Sequence, residues 1–314
     1  MKKYGVFLAS ILFLAALAST SFAAEVKEEV KETFSLVKDG SVSVENVAGE
    51  ITVHAWNENK VQMIATKCAR AFTKDRAEEL LEAIEINIIA EADSLDIDTH
   101  FPWWEKLNPH SSVEVDYELW VPLSAEVIAE SVSGSIEVVE RENDIWARTV
   151  SGTVEIRGIV GDVEAKTTSG AIEIRAAQGE SILADSTSGE VRLEEVVGIV
   201  EVRSVSGRVR IADSKGAAKS VRTTSGDIWV ELKELDEAVS SMLFTSVSGD
   251  VTLLLPQGTS ADIEARTTSG QIRSEFAVTV EGEMKTRTLR GTIGEGGVKV
   301  TFKTVSGNIT LEER

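Results

Sequence analysis

The chain has 314 residues, 32 of them basic and 52 acidic, for a formal net charge of −20 at pH 7. So much acid argues against nucleic acid and anionic lipid as partners. Hydrophobic residues reach 42% but aromatics only 5%, which suits narrow β-coils filled by Val, Ile and Ala better than a broad globular core.

Lys2 and Lys3 precede an apolar run, Val6 to Ala18, broken only by Ser10. Ser21-Phe22-Ala23 then sets small residues on either side of a bulky one before Ala24. This is the pattern of a secretory signal peptide over 1–23, too short and wrongly flanked for a stable transmembrane helix. No Cys follows the run, so lipid attachment is not expected. Taking Lys2 and Lys3 from the 32 basic residues leaves 30 against 52 acidic ones, a net of −22 for the mature chain. Cys68 is the only cysteine. The fold must therefore hold in an oxidising compartment without an intrachain disulfide.

Residues 24–124 are predicted to form a β-rich capping segment. Gly49 to Val53, followed by Trp56, resembles one coil of the later repeat, and Val61 to Thr66 reads as a strand. Thr73 is a plausible N-cap for a helix over 74–84, with Leu80, Leu81 and Ile84 as its apolar stripe. Ile84 to Ile89, Leu95 to Thr99 and Val113 to Val121 alternate as strands, the last leading through Pro122 into the repeat. Between two of these strands, His100 to His110 holds two Pro and the pair Trp103-Trp104. Exposed Trp can stack on sugar rings or anchor a partner, and the same side chains could instead plug the end of the core.

From about residue 125 the chain repeats, and a repeat is the first thing to establish in any sequence. Ser-Gly recurs with its glycine at Gly134, Gly152, Gly170, Gly189, Gly207, Gly226, Gly249, Gly270 and Gly307. The intervals are 18, 18, 19, 18, 19, 23, 21 and 37 residues. The longest reads as two coils, with Arg290-Gly291 standing in for a Ser-Gly, and insertions at 226–248 and 270–306 should bulge from corners. Ile136, Val154, Ile172 and Val191 each stand three residues after the serine, and Val138, Ile156, Ile174 and Leu193 five after it. That is the period-two alternation of a strand with one buried face. Glycine at the corner allows a positive φ, and Gly161, Gly179, Gly198 and Gly216 mark the opposite corner. The prediction is an all-β chain: a single-stranded parallel β-solenoid over 125–314, right-handed by expectation, with about ten coils of 18–23 residues.

Two residues before each serine stands a hydroxyl without exception: Ser131, Thr149, Thr167, Ser186, Ser204, Thr223, Ser246, Thr267 and Thr304. These should point inward and bond to one another from coil to coil as a structural ladder, since buried hydroxyls need partners. One step further from the corner the row is Glu130, Arg148, Lys166, Asp185, Arg203, Arg222, Thr245, Arg266 and Lys303, six of nine basic. Arg148 and Lys166 could pair across the corner with the row Glu137, Glu155 and Glu173, or serve as a basic track for an acidic glycan.

The motif Thr167-Thr168-Ser169-Gly170-Ala171-Ile172-Glu173-Ile174 resembles the bacterial domain-of-unknown-function family described as "putative adhesin", related to the auto-transporter adhesin head (GIN) domain. The Gly49-to-Trp56 strand and the Val113-to-Pro122 lead-in look similar as well. The resemblance covers nearly the whole mature chain. It implies the architecture, and it carries over no catalytic residues.

Three functions follow from these readings. The preferred one is a non-enzymatic exported envelope protein, adhesin-like, that binds a glycan or protein through its solenoid surface or the Trp103-Trp104 loop. No cofactor, no metal and no membrane insertion after signal removal are expected. Because Ile309 to Arg314 is still repeat, with no sorting signal or anchor after it, a periplasmic or released protein is expected. The second is a β-helical polysaccharide lyase or hydrolase using the outward acidic and basic rows; but those rows recur at repeat spacing, as structural rows do. The third is an end-to-end envelope scaffold, allowed by a C-terminal end with no evident cap.

Overall fold

Alternation of short aliphatic and polar residues folds the chain into stacked β-layers plus one helix, in a computed structural model that describes residues 24–101, 111–236, 239–280 and 286–314. The expected signal peptide and the Trp103-Trp104 pair lie outside the described residues.

Each layer contributes one strand to either side of a thin core. In the first wall, Glu126–Ser133, Ile145–Ser151 and Val163–Ser169 pair in parallel, with Ala129, Ala147 and Ala165 in register. In the second wall, Ile136–Arg141, Val154–Val160 and the start of Ile172–Ser188 do the same, aligning Ile136, Val154 and Ile172. An 18-residue interval is thus one layer, and equivalent residues sit about 4.8 Å apart. The aligned aliphatic residues are buried, each Ile or Val side chain contributing about 1.5–3 kcal/mol and each Ala about 0.8 kcal/mol.

The Ser-Gly corner meets the sequence expectation at six of its nine glycines, which have a positive φ between 146° and 158° that side chains rarely adopt, whereas Gly207, Gly270 and Gly307 have no positive φ. What all nine share is a close approach. A Cβ on Gly170 would stand 1.9 Å from the carbonyl oxygen of Gly152, and one on Gly152 would stand 2.1 Å from that of Gly134. The glycines form a backbone-on-backbone column that only hydrogen at Cα permits.

The hydroxyl row is buried in all nine positions, but it does not bond to itself. Thr149 Oγ1 donates to the Gly134 carbonyl at 3.0 Å, Thr167 to Gly152 at 3.2 Å, and Thr267 to Gly307 at 3.0 Å. Thr223, Ser246 and Thr304 donate likewise to Gly207, Gly226 and Gly249. The corner carbonyl leaves the strand ladder, and the hydroxyl of the next layer satisfies it. Thr-x-Ser-Gly is therefore one device: its hydroxyl serves the carbonyl that its glycine makes room for. Among the described residues, Ser131, Ser186 and Ser204 have no partner for Oγ. Thr149→Val should consequently lose about 1–2 kcal/mol by stranding a buried acceptor, while Ser186→Ala should stay within about 0.5 kcal/mol of wild type. Paired urea titrations would separate the two, and equal losses would refute the carbonyl assignment.

Layering does not begin at residue 125. Ser41–Ala48 and Ile51–Trp56 already stack in parallel on Glu126–Ser133 and Ile136–Arg141. Beyond them, Ser94–His100 extends the first wall. Ser112–Pro122 extends the second, followed by antiparallel Lys60–Ala71 and Ala24–Ser35. The helix Lys74–Glu82 covers this end. Thr73 caps it by accepting from Arg76 N at 3.3 Å, and Ala77, Leu80 and Leu81 are buried beneath it. At the join, Arg141 is 1% exposed and donates to the carbonyls of Val121, Pro122 and Ala125.

The far end corrects the coil order. Arg290-Gly291 is not a coil corner: it lies in Thr288–Ile293, antiparallel to Ala261–Ser269 on one side and to Val278–Val280 on the other. Those two strands cap the first wall, where an uncapped end was expected. The last layer, Val298–Ser306 with Ile309–Glu313, inserts between the layer of Ser241–Thr245 and the layer of Ala261–Ser269. Phe244 and Phe302 thereby become neighbours, their rings stacked at 5.3 Å.

Candidate functional site

Strand alternation turns the residue three before each corner serine outward from the first wall. Stacking order makes these a column: Glu130, Arg148, Lys166, Asp185, Arg203, Arg222, Thr245, Lys303, Arg266. Glu45 and Asp98 continue it beyond Glu130. The column is acidic at its N-terminal end and predominantly basic thereafter.

The neighbouring carboxylates are already engaged. Glu164 pairs with Lys166; Glu201 lies 2.9 Å from Lys219; Glu264 lies 3.0 Å from Arg290 and 3.1 Å from Lys299. Hydrogen bonds from these cations hold all three carboxyls below the usual carboxylate range. On the second wall, Arg157 pairs with Glu137 and lies 3.4 Å from Glu155, and Arg175 lies 3.4 Å from Glu173 and from Glu194. The glutamate row is satisfied within its own wall. The pairing across the corner with Arg148 and Lys166 does not form.

Five cations are left over. Arg148, Arg203, Arg222, Lys303 and Arg266 are exposed, and none has a carboxylate within 4.0 Å among the described residues. Arg203 and Arg222 occupy adjacent rungs, as do Lys303 and Arg266. Like charges at such spacing repel by about 1 kcal/mol even in water, so an anion laid between them would be welcomed. Arg148 stands where the two signs meet, lining a cavity of about 330 Å³ with Glu45, Asp98 and Glu130. Burial, and then the charges of Glu130, Asp98 and Asp96, push the Glu45 carboxyl up. Of the two cations singled out from sequence, Arg148 is free and Lys166 is tied to Glu164.

Sequence reasoning passed over the residue just before each serine. Val132, Val150, Val205, Val247 and Val305 are 43–52% exposed, and Thr168, Thr187, Thr224 and Thr268 fill the other rungs. A β-branched stripe thus runs beside the cations. The same alternation that marked the hydroxyls as inward marks this stripe as outward.

Residues 135–312 match the family described as Toastrack DUF4097. The chain belongs to the Toastrack family. No curated protein matches the chain. Among solved structures, this Toastrack chain is similar to a putative cell adhesion protein from Clostridium sporogenes ATCC 15579. The identity there is 11% and the TM-score 0.27, covering 92% of this chain and 100% of that one. It is also similar to a putative adhesin from Bacteroides fragilis NCTC 9343, at 13% identity and TM-score 0.40, covering 90% and 97%. A putative lipid binding protein from Parabacteroides distasonis ATCC 8503 stands at 12% identity and TM-score 0.37, covering 90% and 96%.

Proposed function

We propose that this Toastrack chain is an exported, non-enzymatic cell-envelope protein, adhesin-like, that holds an envelope glycan or protein against the outer side of its stacked walls. The carrying observation is the column of unpaired cations, which recurs at layer spacing on an acidic chain. A catalytic site is a local constellation that breaks a repeat, whereas a repeated row offers many equal contacts to an extended partner. Export rests on the signal-peptide pattern over 1–23, and winding as one continuous solenoid, periplasmic or released, belongs to the same reading. An array of glycans and envelope proteins, probed with the mature chain, tests it. Retention of one ligand class, with the ligand recovered at its original length, is the expected result. Shortened or unsaturated sugar products would make the protein an enzyme and overturn the reading.

A further inference from the structure

The cation column has a length, a direction and a neighbour, and together these narrow the ligand. From Arg148 to Arg266 the register passes through seven layer steps, roughly 34 Å at ~4.8 Å each. No small anion can reach from Arg148 to Arg203, let alone to Lys303 and Arg266. The partner must be extended and must carry negative charge repeatedly along its length.

The rest of the surface restricts it further. The mature chain is strongly acidic, and Glu130, Glu45 and Asp98 close one end of the column. The net charge disfavours a polyanion at long range, and this column, interrupted by Asp185, is where exposed cations without carboxylate partners line up. An anionic lipid surface is a plane, and it would bring the acidic rows into contact as well. Single-stranded nucleic acid needs successive aromatic platforms for its bases, and here the cations are flanked by Val and Thr. Trp146 is the aromatic beside Arg148, half-buried on the same strand, and a single ring gives no succession of platforms. A stripe of exposed valines beside cations fits a ring with apolar C–H faces and a carboxylate on its edge.

We propose that the flank binds a linear acidic polysaccharide lying along the layer axis. Its carboxylates meet Arg148, Arg203, Arg222, Lys303 and Arg266, and its sugar faces lie against Val150, Val205, Val247 and Val305. The acidic end at Glu130 stops the chain and fixes one end of the footprint. This rests on the reading of the walls as a binding surface and names the ligand class that they take.

The test is equilibrium binding of the full mature chain to polygalacturonate oligomers, with neutral glucan oligomers and long-chain polyphosphate as the other arms. Expected is binding of the uronate oligomers that tightens with length and weakens as salt rises, with no retention of glucan and weaker retention of polyphosphate. Arg203→Glu combined with Arg222→Glu should lower uronate affinity by at least about tenfold. Arg157→Glu, on the second wall, should leave it within about twofold. Both variants change exposed side chains, and their melting curves report whether the stack is intact. Uronate binding that survives the Arg203/Arg222 reversal, or polyphosphate binding as tight as uronate, overturns the inference. An array hit on a neutral glycan or a protein overturns it too but leaves the broader reading standing. Absence of any retained ligand on the array sinks both.

Discussion

Gly189→Ala is expected to remove most of the stability of the central layers, more than about 4 kcal/mol, a loss reserved for severe core damage. The added Cβ would lie 1.8 Å from the carbonyl oxygen of Gly170 and 2.5 Å from its carbonyl carbon. Neither atom can retreat, because Gly170 is itself pressed against Gly152 one layer away. The strain would spread in both directions along the column. Gly258→Ala is the control: no heavy atom lies within 4 Å of its would-be Cβ, and only its φ of +76° is unfavourable, worth about 1–2 kcal/mol. Stacked repeats need not unfold in one step. The informative readout is therefore the urea transition by two probes, with Gly189→Ala losing much of the midpoint or splitting the transition and Gly258→Ala lowering the midpoint only slightly, in one step. Similar small losses for both would mean that the corner column is not close-packed.

The second large effect is expected at Arg141, which sequence reasoning did not single out. Its guanidinium is buried with no carboxylate partner among the described residues, and burial pulls its pKa down from the ordinary value. Bonds to the carbonyls of Val121, Pro122 and Ala125 oppose that pull and keep the proton in place. Arg141→Ala would take the guanidinium donors from three carbonyls, of which Pro122 keeps its bond from Ala125 N, and would open a cavity, costing about 3–5 kcal/mol. Arg141→Lys should recover only part of this, since one ammonium cannot fork to three carbonyls spread along a turn. Hydrogen exchange would locate the damage: early exposure of 112–141 is expected, and unchanged protection there would contradict the assignment of Arg141 as the clamp of this join.

Much of the layering was legible because each layer repeats a local pattern. The serine intervals, the aliphatic alternation and the inward hydroxyls are properties of a few neighbouring residues, and period-two geometry converts them directly into faces. Thr73 and the stripe of Leu80 and Leu81 gave the helix for the same reason. What escaped was non-local. The partner of each hydroxyl is a carbonyl one layer away, and no single coil shows that the glycine column brings it there. Arg141 looks like an ordinary strand residue until the turn at 121–125 folds over it. The order of the last layers had one sequence trace: in the column four before the serine, Ala129, Ala147, Ala165 and Ala184 give way to Val202, Val221 and Phe244, and then Ala265 interrupts before Phe302. A smoothly widening core would place Phe302 next to Phe244, as the register does. The binding column was visible as a row of charges, but only the ion pairs of Glu164, Glu201 and Glu264 reveal which cations remain available.

The inserted last layer also sets the order in which the protein can be completed. Residues 261–274 precede residues 298–313 in the chain, yet the later segment forms the floor on which the earlier one rests. A chain emerging N-terminus first can add layers one by one through Ser241–Thr245 and Val251–Leu255. There it must wait. The segment of Ala261–Ser269 stays without its parallel neighbour until the final residues arrive, slide beneath it and close the stack. Loss of those last residues would therefore remove an interior storey of the building rather than its roof.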